Sequence, residues 1–202
     1  MSLEELAVVR QLLAGLVTGE ARSLEDFRTS YDEAGKAFGL PEGVTVTPVS
    51  AGGVPGEWLA PAAGAGKRVL LYLHGGGYAL GSLDSHRHLA AHTALALNGR
   101  VLLIDYRRSP EHPFPAAVDD ALAAYRWLTE TGVDPAKLAV AGDSAGGGLT
   151  VAVLLAARDA GLRLPAAAVC ISPWANLENK GASYGAKANV DPMVRHADLE
   201  LW

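Results

Sequence analysis

Ser144 stands in Gly142-Asp143-Ser144-Ala145-Gly146, a G-x-S-x-G pentapeptide inside AGDSAGGG (141 to 148), between an apolar run and a stretch of helical character. A sharp strand-to-helix turn of this kind projects the serine hydroxyl outward, and small neighbours let the helix start close to the strand. The chemistry it suits is acyl transfer with serine as nucleophile. In a chain with 23 glycines the pentapeptide could also be a plain turn with a bystander serine, but the flanking elements argue for the nucleophile. Acyl transfer further needs donors for an oxyanion, and consecutive glycines can aim several N–H groups at one point. LYLHGGGYALGS (71 to 82) supplies such a loop, with His74, Gly75, Gly76 and Gly77 following directly on a strand-prone run. Each motif predicts the other. Neither glycine loop carries the lysine of a phosphate-binding G-x-x-x-x-G-K-[ST], nor G-x-G-x-x-G with its downstream acid, so nucleotide binding is not expected.

Other constellations have plainer readings. His88 and His92 are spaced i, i+4 on a predicted helix that also carries His86, but H-E-x-x-H is lacking and no acid is placed as a third ligand. They read as surface or helix-packing histidines, and neither a metal nor a cofactor is expected. Pro110, Pro113 and Pro115 around Glu111 and His112 stiffen a loop, while Asp119 and Asp120 suit the early turns of the helix that follows. Cys170, the only cysteine, permits no internal disulfide and reads as a small buried hydrophobe in AAAVCIS.

The elements that must position these residues follow from periodicity. Ser2 with Glu5 and Ser23 with Asp26 are capping boxes. Leu6, Leu13, Leu16 and Val17, then Leu24, Phe27, Tyr31, Ala34 and Phe38, mark two amphipathic helices. VTVTPV (44 to 49) and EWLAP (57 to 61) alternate like short strands joined by a glycine-rich turn. RVLLYLH (68 to 74), RVLLIDY (100 to 106), KLAVAG (137 to 142) and AAAVCIS (166 to 172) are continuous apolar runs, as strands covered on both faces should be. Helical stretches at about 85 to 97, 115 to 131 and 145 to 160 lie between them. The expected fold is α/β, a mostly parallel sheet with helices on both faces.

At 202 residues with half of them apolar, one domain is expected, and a net charge of −5 offers no basic surface for nucleic acid or an anionic membrane. MSLEEL lacks the bases of a signal peptide, and no apolar run approaches a membrane span, so a cytoplasmic location is expected.

With HGGG at 74 to 77, DYRRSPEHPFPAAVDD at 105 to 120, GDSAGG at 142 to 147 and SPWANL at 172 to 177, the chain resembles the hormone-sensitive lipase family of α/β-hydrolases, bacterial carboxylesterases with lactone hydrolases among their relatives. The resemblance implies hydrolysis of small, short-acyl esters or lactones. It makes Ser144 the nucleophile and assigns the oxyanion hole to the backbone N–H groups of Gly76, Gly77 and Ala145. His74, Gly75 and Asp143 then position the glycine loop, and Tyr78 and Trp174 are candidate pocket residues, although core or cap contacts fit them equally. Residues 1–40 correspond to an N-terminal helical cap and 41–202 to the hydrolase core.

Arg108 and Ser109 stand where Leu-Ala is frequent in the family, and Asn176 where an aspartate is usual; they are expected to touch only a loop and the cap. A serine hydroxyl needs a histidine to take its proton and an acid to hold that histidine, in chain order serine, acid, histidine. Asp191 and His196 are the tempting downstream pair. The family places its acid after the seventh strand and its base after the eighth, whereas six strands precede position 172, so the pair is set aside; DPM (191 to 193) resembles the Asp-Pro that family members carry in the cap-side segment ahead of the catalytic acid, and a plain turn before a helix fits it as well. The sequence is thus expected to lack the last two strands and two triad members, and to be nearly inactive alone. Two competing readings are a non-catalytic ligand-binding protein on the same scaffold, as in the plant gibberellin receptors that resemble this family, and an inactive gene fragment.

Overall fold

The computed structural model describes residues 2–17, 23–187, 190, 191 and 194. The chain opens with helices α1 (Leu3–Val17) and α2 (Leu24–Lys36), followed by strands β1 (Val44–Ala51) and β2 (Val54–Pro61). Then come β3 (Val69–Leu73), α3 (Leu83–Leu97), β4 (Arg100–Ile104), α4 (Ala116–Glu130), β5 (Leu138–Asp143), α5 (Ala145–Asp159), β6 (Ala167–Ile171) and the short α6 (Ala182–Ala186). The six strands form one sheet in the order β1-β2-β4-β3-β5-β6. β1 and β2 run antiparallel across a two-residue turn in which Gly52 and Gly53 both take positive φ, and β2 joins the sheet antiparallel to β4. From β4 through β3 and β5 to β6 the pairs are parallel, as helical crossovers demand.

The two-residue period of β3 sorts its side chains onto two cores. Leu71 and Leu73 join Leu102, Ile104, Tyr106, Tyr125, Leu128, Leu149 and Val153 beneath α4 and α5. Leu70 and Tyr72 face the other way, with Leu59, Val101, Leu103 and the small Ala90, Ala91 and Ala94 of α3. Each large apolar side chain contributes about 1.5–3 kcal/mol by leaving water, so β3 and β4, covered on both faces, anchor the loops at their C-terminal ends. Those loops carry the motif residues.

The capping boxes form as their spacing predicts. Ser23 N–H donates to Asp26 Oδ2 at 2.9 Å and Asp26 N–H to Ser23 Oγ at 3.1 Å. Ser2 and Glu5 make the same exchange.

Two expectations are corrected. β6 is not covered on both faces: among the described residues it pairs only with β5, and Val169 and Ile171 stand 51% and 46% exposed. Cys170 is accordingly half-buried rather than fully enclosed. Among the described residues no helix is long and apolar enough to cross a membrane.

Candidate active site

Ser144 sits at the junction of β5 and α5 with φ 52° and ψ −119°, a strained geometry for a residue bearing a side chain. Backbone hydrogen bonds hold it there. Its N–H donates to Ile171 O at 2.9 Å, and its carbonyl accepts from Gly148 N–H at 3.1 Å and Trp174 N–H at 2.9 Å. A Cβ at Gly146 would run into the carbonyls of Leu73 and His74, so only glycine lets the first turn of α5 lie against the end of β3. Ser144 remains partly exposed, and among the described residues no histidine hydrogen-bonds its hydroxyl.

The glycine loop follows β3, parallel and adjacent to β5, so it arrives beside Ser144. Its three glycines are not equivalent. Gly75 N–H donates to Asp143 Oδ1 at 3.1 Å and lies 3.3 Å from His86 Nε2. Gly76 takes φ +121° and Gly77 φ +63°, and the Gly76 carbonyl accepts from Ala79 N–H at 3.1 Å and Leu80 N–H at 2.7 Å. Among the described residues the N–H groups of Gly76, Gly77 and Ala145 donate to no acceptor. Backbone donors left open beside a serine hydroxyl are what a developing oxyanion needs.

Asp143 joins the two loops. Its carboxylate accepts from Tyr72 Oη at 3.0 Å as well as from Gly75 N–H, and His86 Nε2 lies 3.3 Å away. Burial alone would push this carboxyl up; the hydrogen bonds from His86, Tyr72 and the Gly75 N–H outweigh it and hold the group below its ordinary value. Of the α3 histidines, His86 is a packing residue with a polar partner that its spacing did not reveal. It is buried, with Nδ1 2.8 Å from Ser85 Oγ, and its local sequence carried no sign of a partner 57 residues away. His88 stacks on Phe38 at 4.7 Å and His92 is exposed, as surface or packing residues should be.

His74 is fully buried and stacks on Tyr106 with ring centroids 4.1 Å apart. Its Nδ1 lies 2.8 Å from Gly75 O, a contact only an Nδ1–H can make, which leaves Nε2 unprotonated in the neutral ring. Tyr106 Oη donates to His74 O at 2.7 Å. Burial first, then the neighbouring His86, pushes the His74 pKa from the usual 6.5 down to about 3. The folded state therefore refuses a proton that the unfolded chain accepts, and stability falls as pH drops from about 6.5 toward 3, by up to ~1.4 kcal/mol per pH unit. In urea unfolding at pH 7 and 4.5, His74→Gln is expected to lose less stability on acidification than the wild type. Equal losses contradict the assignment.

Tyr78 and Trp174 meet at 6.1 Å between ring centroids, beside the start of α5, with Tyr78 Oη near Gly148. Burial raises the Tyr78 pKa to about 12, so its hydroxyl stays protonated. Two surface depressions, of about 250 Å³ around Lys67, Arg100 and Asp134 and about 290 Å³ around Arg28, Asp105 and Glu111, do not include Ser144.

Arg108 reaches the Gly81 carbonyl and Ser109 O accepts from Arg28, so both departures touch loop and N-terminal helix as expected. Asp120 does more than suit a helix dipole: it accepts from Arg107 N–H at 2.8 Å and from the Arg107 guanidinium at 2.7 Å, tying the loop after β4 to α4. Asp191 Oδ1 accepts from Val194 N–H at 2.9 Å; Pro192 and Met193 of the DPM segment, and His196, lie outside the described residues.

The profile of the alpha/beta hydrolase fold family matches residues 70–202. An acetyl-hydrolase of Streptomyces hygroscopicus is 50% identical over 202 residues, covering 98% of this chain and 66% of that protein. A carboxylic ester hydrolase of Mycobacterium tuberculosis is 45% identical over 117 residues, 55% of this chain and 31% of its own length. The crystal structure of an esterase from the bacterial hormone-sensitive lipase family superposes with a TM-score of 0.94 at 41% identity, over 98% of this chain and 67% of that one. The chain thus spans about two thirds of the length of the Streptomyces relative.

Proposed function

Because this chain belongs to the alpha/beta hydrolase fold family, among the bacterial esterases of the hormone-sensitive lipase type, we propose that it carries the nucleophile and oxyanion hole of a carboxylic-ester hydrolase. Ser144 Oγ attacks the ester carbonyl, its proton passing to a base that lies outside the described residues. The carbonyl oxygen becomes an oxyanion and accepts from the N–H groups of Gly76, Gly77 and Ala145. Collapse expels the alcohol, which takes up the proton, and leaves an acyl group on Ser144 for water to remove. The observation that carries this reading is the coincidence of a serine held at φ 52° with open backbone donors on the adjacent loop.

His74 serves as a structural residue: its ring is buried against Tyr106, and its one proton is engaged by Gly75 O. Asp143 and Gly75 hold the loop to the nucleophile turn through their shared hydrogen bond. Residues 1–40 act as the cap, and Tyr78 with Trp174 borders the acyl group. Similarity to an acetyl-hydrolase points to small acyl groups. The complete gene product is expected to release p-nitrophenolate from p-nitrophenyl acetate and butyrate well above the buffer rate. Tight binding of such esters with their recovery unchanged would instead make the protein a ligand-binding member of the fold.

A further inference from the structure

One side chain outside the motifs joins three segments at the glycine loop. Arg28, on α2, has a side chain only 15% exposed. Its Nε donates to Ala79 O at 2.8 Å and its Nη2 to Ser109 O at 2.9 Å, while both Nη atoms grip the Glu111 carboxylate at 2.7 Å. Of the accepting carbonyls, that of Ala79 belongs to the turn that sets the loop, and that of Ser109 to the segment after β4 that bonds to it. Ala79 N–H donates to Gly76 O, and Ser109 N–H donates to Tyr78 O at 2.8 Å. Arg28 therefore reaches the turn directly at Ala79 and, through Ser109, at Tyr78. α2 itself cannot drift, because Asp32 Oδ1 accepts from Ser82 Oγ at 2.6 Å and Gly35 packs so closely on the Ser85 backbone that no Cβ fits.

A run of three glycines has little conformational preference of its own, so its anchors decide where its N–H groups point. A guanidinium is suited to this: its planar fork serves two carbonyls and a carboxylate at once, whereas a lysine ammonium is a point charge. We propose that Arg28 is a positioning residue for the oxyanion loop, coupling the N-terminal helix to the orientation of the Gly76 and Gly77 amides. The kinetic part of this proposal rests on the esterase reading of Ser144; the structural part does not. Glu111 holds Arg28 from the far side, and Arg28 in turn keeps the Glu111 carboxyl near 2, below its ordinary value.

The test compares Arg28→Ala, Arg28→Lys and Lys36→Ala in the complete gene product. Lys36 lies on the same helix but pairs with Glu33 at 3.0 Å and Asp84 at 3.1 Å, and among the described residues it bonds to none of residues 74–80, so its variant reports a loosened α2 alone. Both Arg28 variants are expected to lower kcat on p-nitrophenyl butyrate about 10- to 100-fold, with KM changed less than about threefold. They are also expected to shift and broaden the Gly76 and Gly77 amide resonances, while Lys36→Ala leaves rates and resonances as in the wild type. Should Arg28→Ala fail to fold, Arg28→Lys, which keeps the charge and the stem, decides between the outcomes. Wild-type kcat and amide resonances in Arg28→Lys overturn the proposal, as do equal changes in Lys36→Ala. If Ser144→Ala retains full turnover the esterase reading falls, and the two amide resonances still decide the role of Arg28.

Discussion

Ser144→Ala is expected to lower kcat for p-nitrophenyl butyrate by a factor on the order of 10⁶ in the complete gene product, leaving only the residual rate that an oxyanion hole and binding supply. The loss follows from the absence of any other route to an acyl-enzyme at this turn. Gly142, Ala145 and Gly146 carry no nucleophile, and the neighbouring Asp143 carboxylate is engaged by Tyr72, Gly75 and His86. KM is expected to change little, because in the proposed mechanism the hydroxyl contributes to the transition state rather than to ground-state binding. The fold should tolerate the change: Ser144 is held through its backbone, by Ile171, Gly148 and Trp174, and none of these bonds uses the side chain. A circular-dichroism melt within a few degrees of wild type would show that lost turnover is lost chemistry. Equal rates for variant and wild type contradict the role of Ser144.

Gly76→Ala is expected to cost about 10²- to 10³-fold in kcat, the range for losing one oxyanion donor. The backbone here stands at φ +121°, where a Cβ is strained in any surroundings, and the Cβ would also meet the Leu80 carbonyl. Relief requires the 76–80 turn to open, because Leu80 N–H donates to Gly76 O at 2.7 Å. The peptide unit then rotates and its N–H leaves the position it must hold when the carbonyl becomes tetrahedral. Since that bond forms fully only in the transition state, the loss should appear in kcat with KM within a few-fold. Affinity for a trifluoromethyl ketone, which forms a tetrahedral adduct, should fall in parallel with kcat/KM. A variant with wild-type kcat would show that Gly76 is not a donor.

The features legible in the sequence are those whose cause is local. The continuous apolar runs that became β3, β4 and β5 are covered on both faces, and the two serine capping boxes closed as spaced. The pentapeptide around Ser144 and the glycines after His74 were readable because strained turns demand particular residue types at fixed offsets. β6 misled for the opposite reason: Val169 and Ile171 have strand-core character, but their exposure depends on what lies beside them, which composition does not report. The network behind the loop was hidden because it is non-local. Arg28 meets Glu111 across 83 positions and Tyr72 meets Asp143 across 71, and neither pair has a periodic or spacing signature. His86 sits among other histidines on an ordinary helix, and only the parallel placement of β3 and β5 brings Asp143 to it.

Covalent trapping tests the central claim most directly. The complete gene product, inactivated with a diethyl phosphate ester such as paraoxon and digested, is expected to carry one diethylphosphoryl group on the peptide containing Gly142-Asp143-Ser144-Ala145-Gly146, with fragmentation placing it on Ser144. Labelling should rise in step with lost turnover and slow in Gly76→Ala. A label on a different serine, or full inactivation with Ser144 unmodified, would contradict the account.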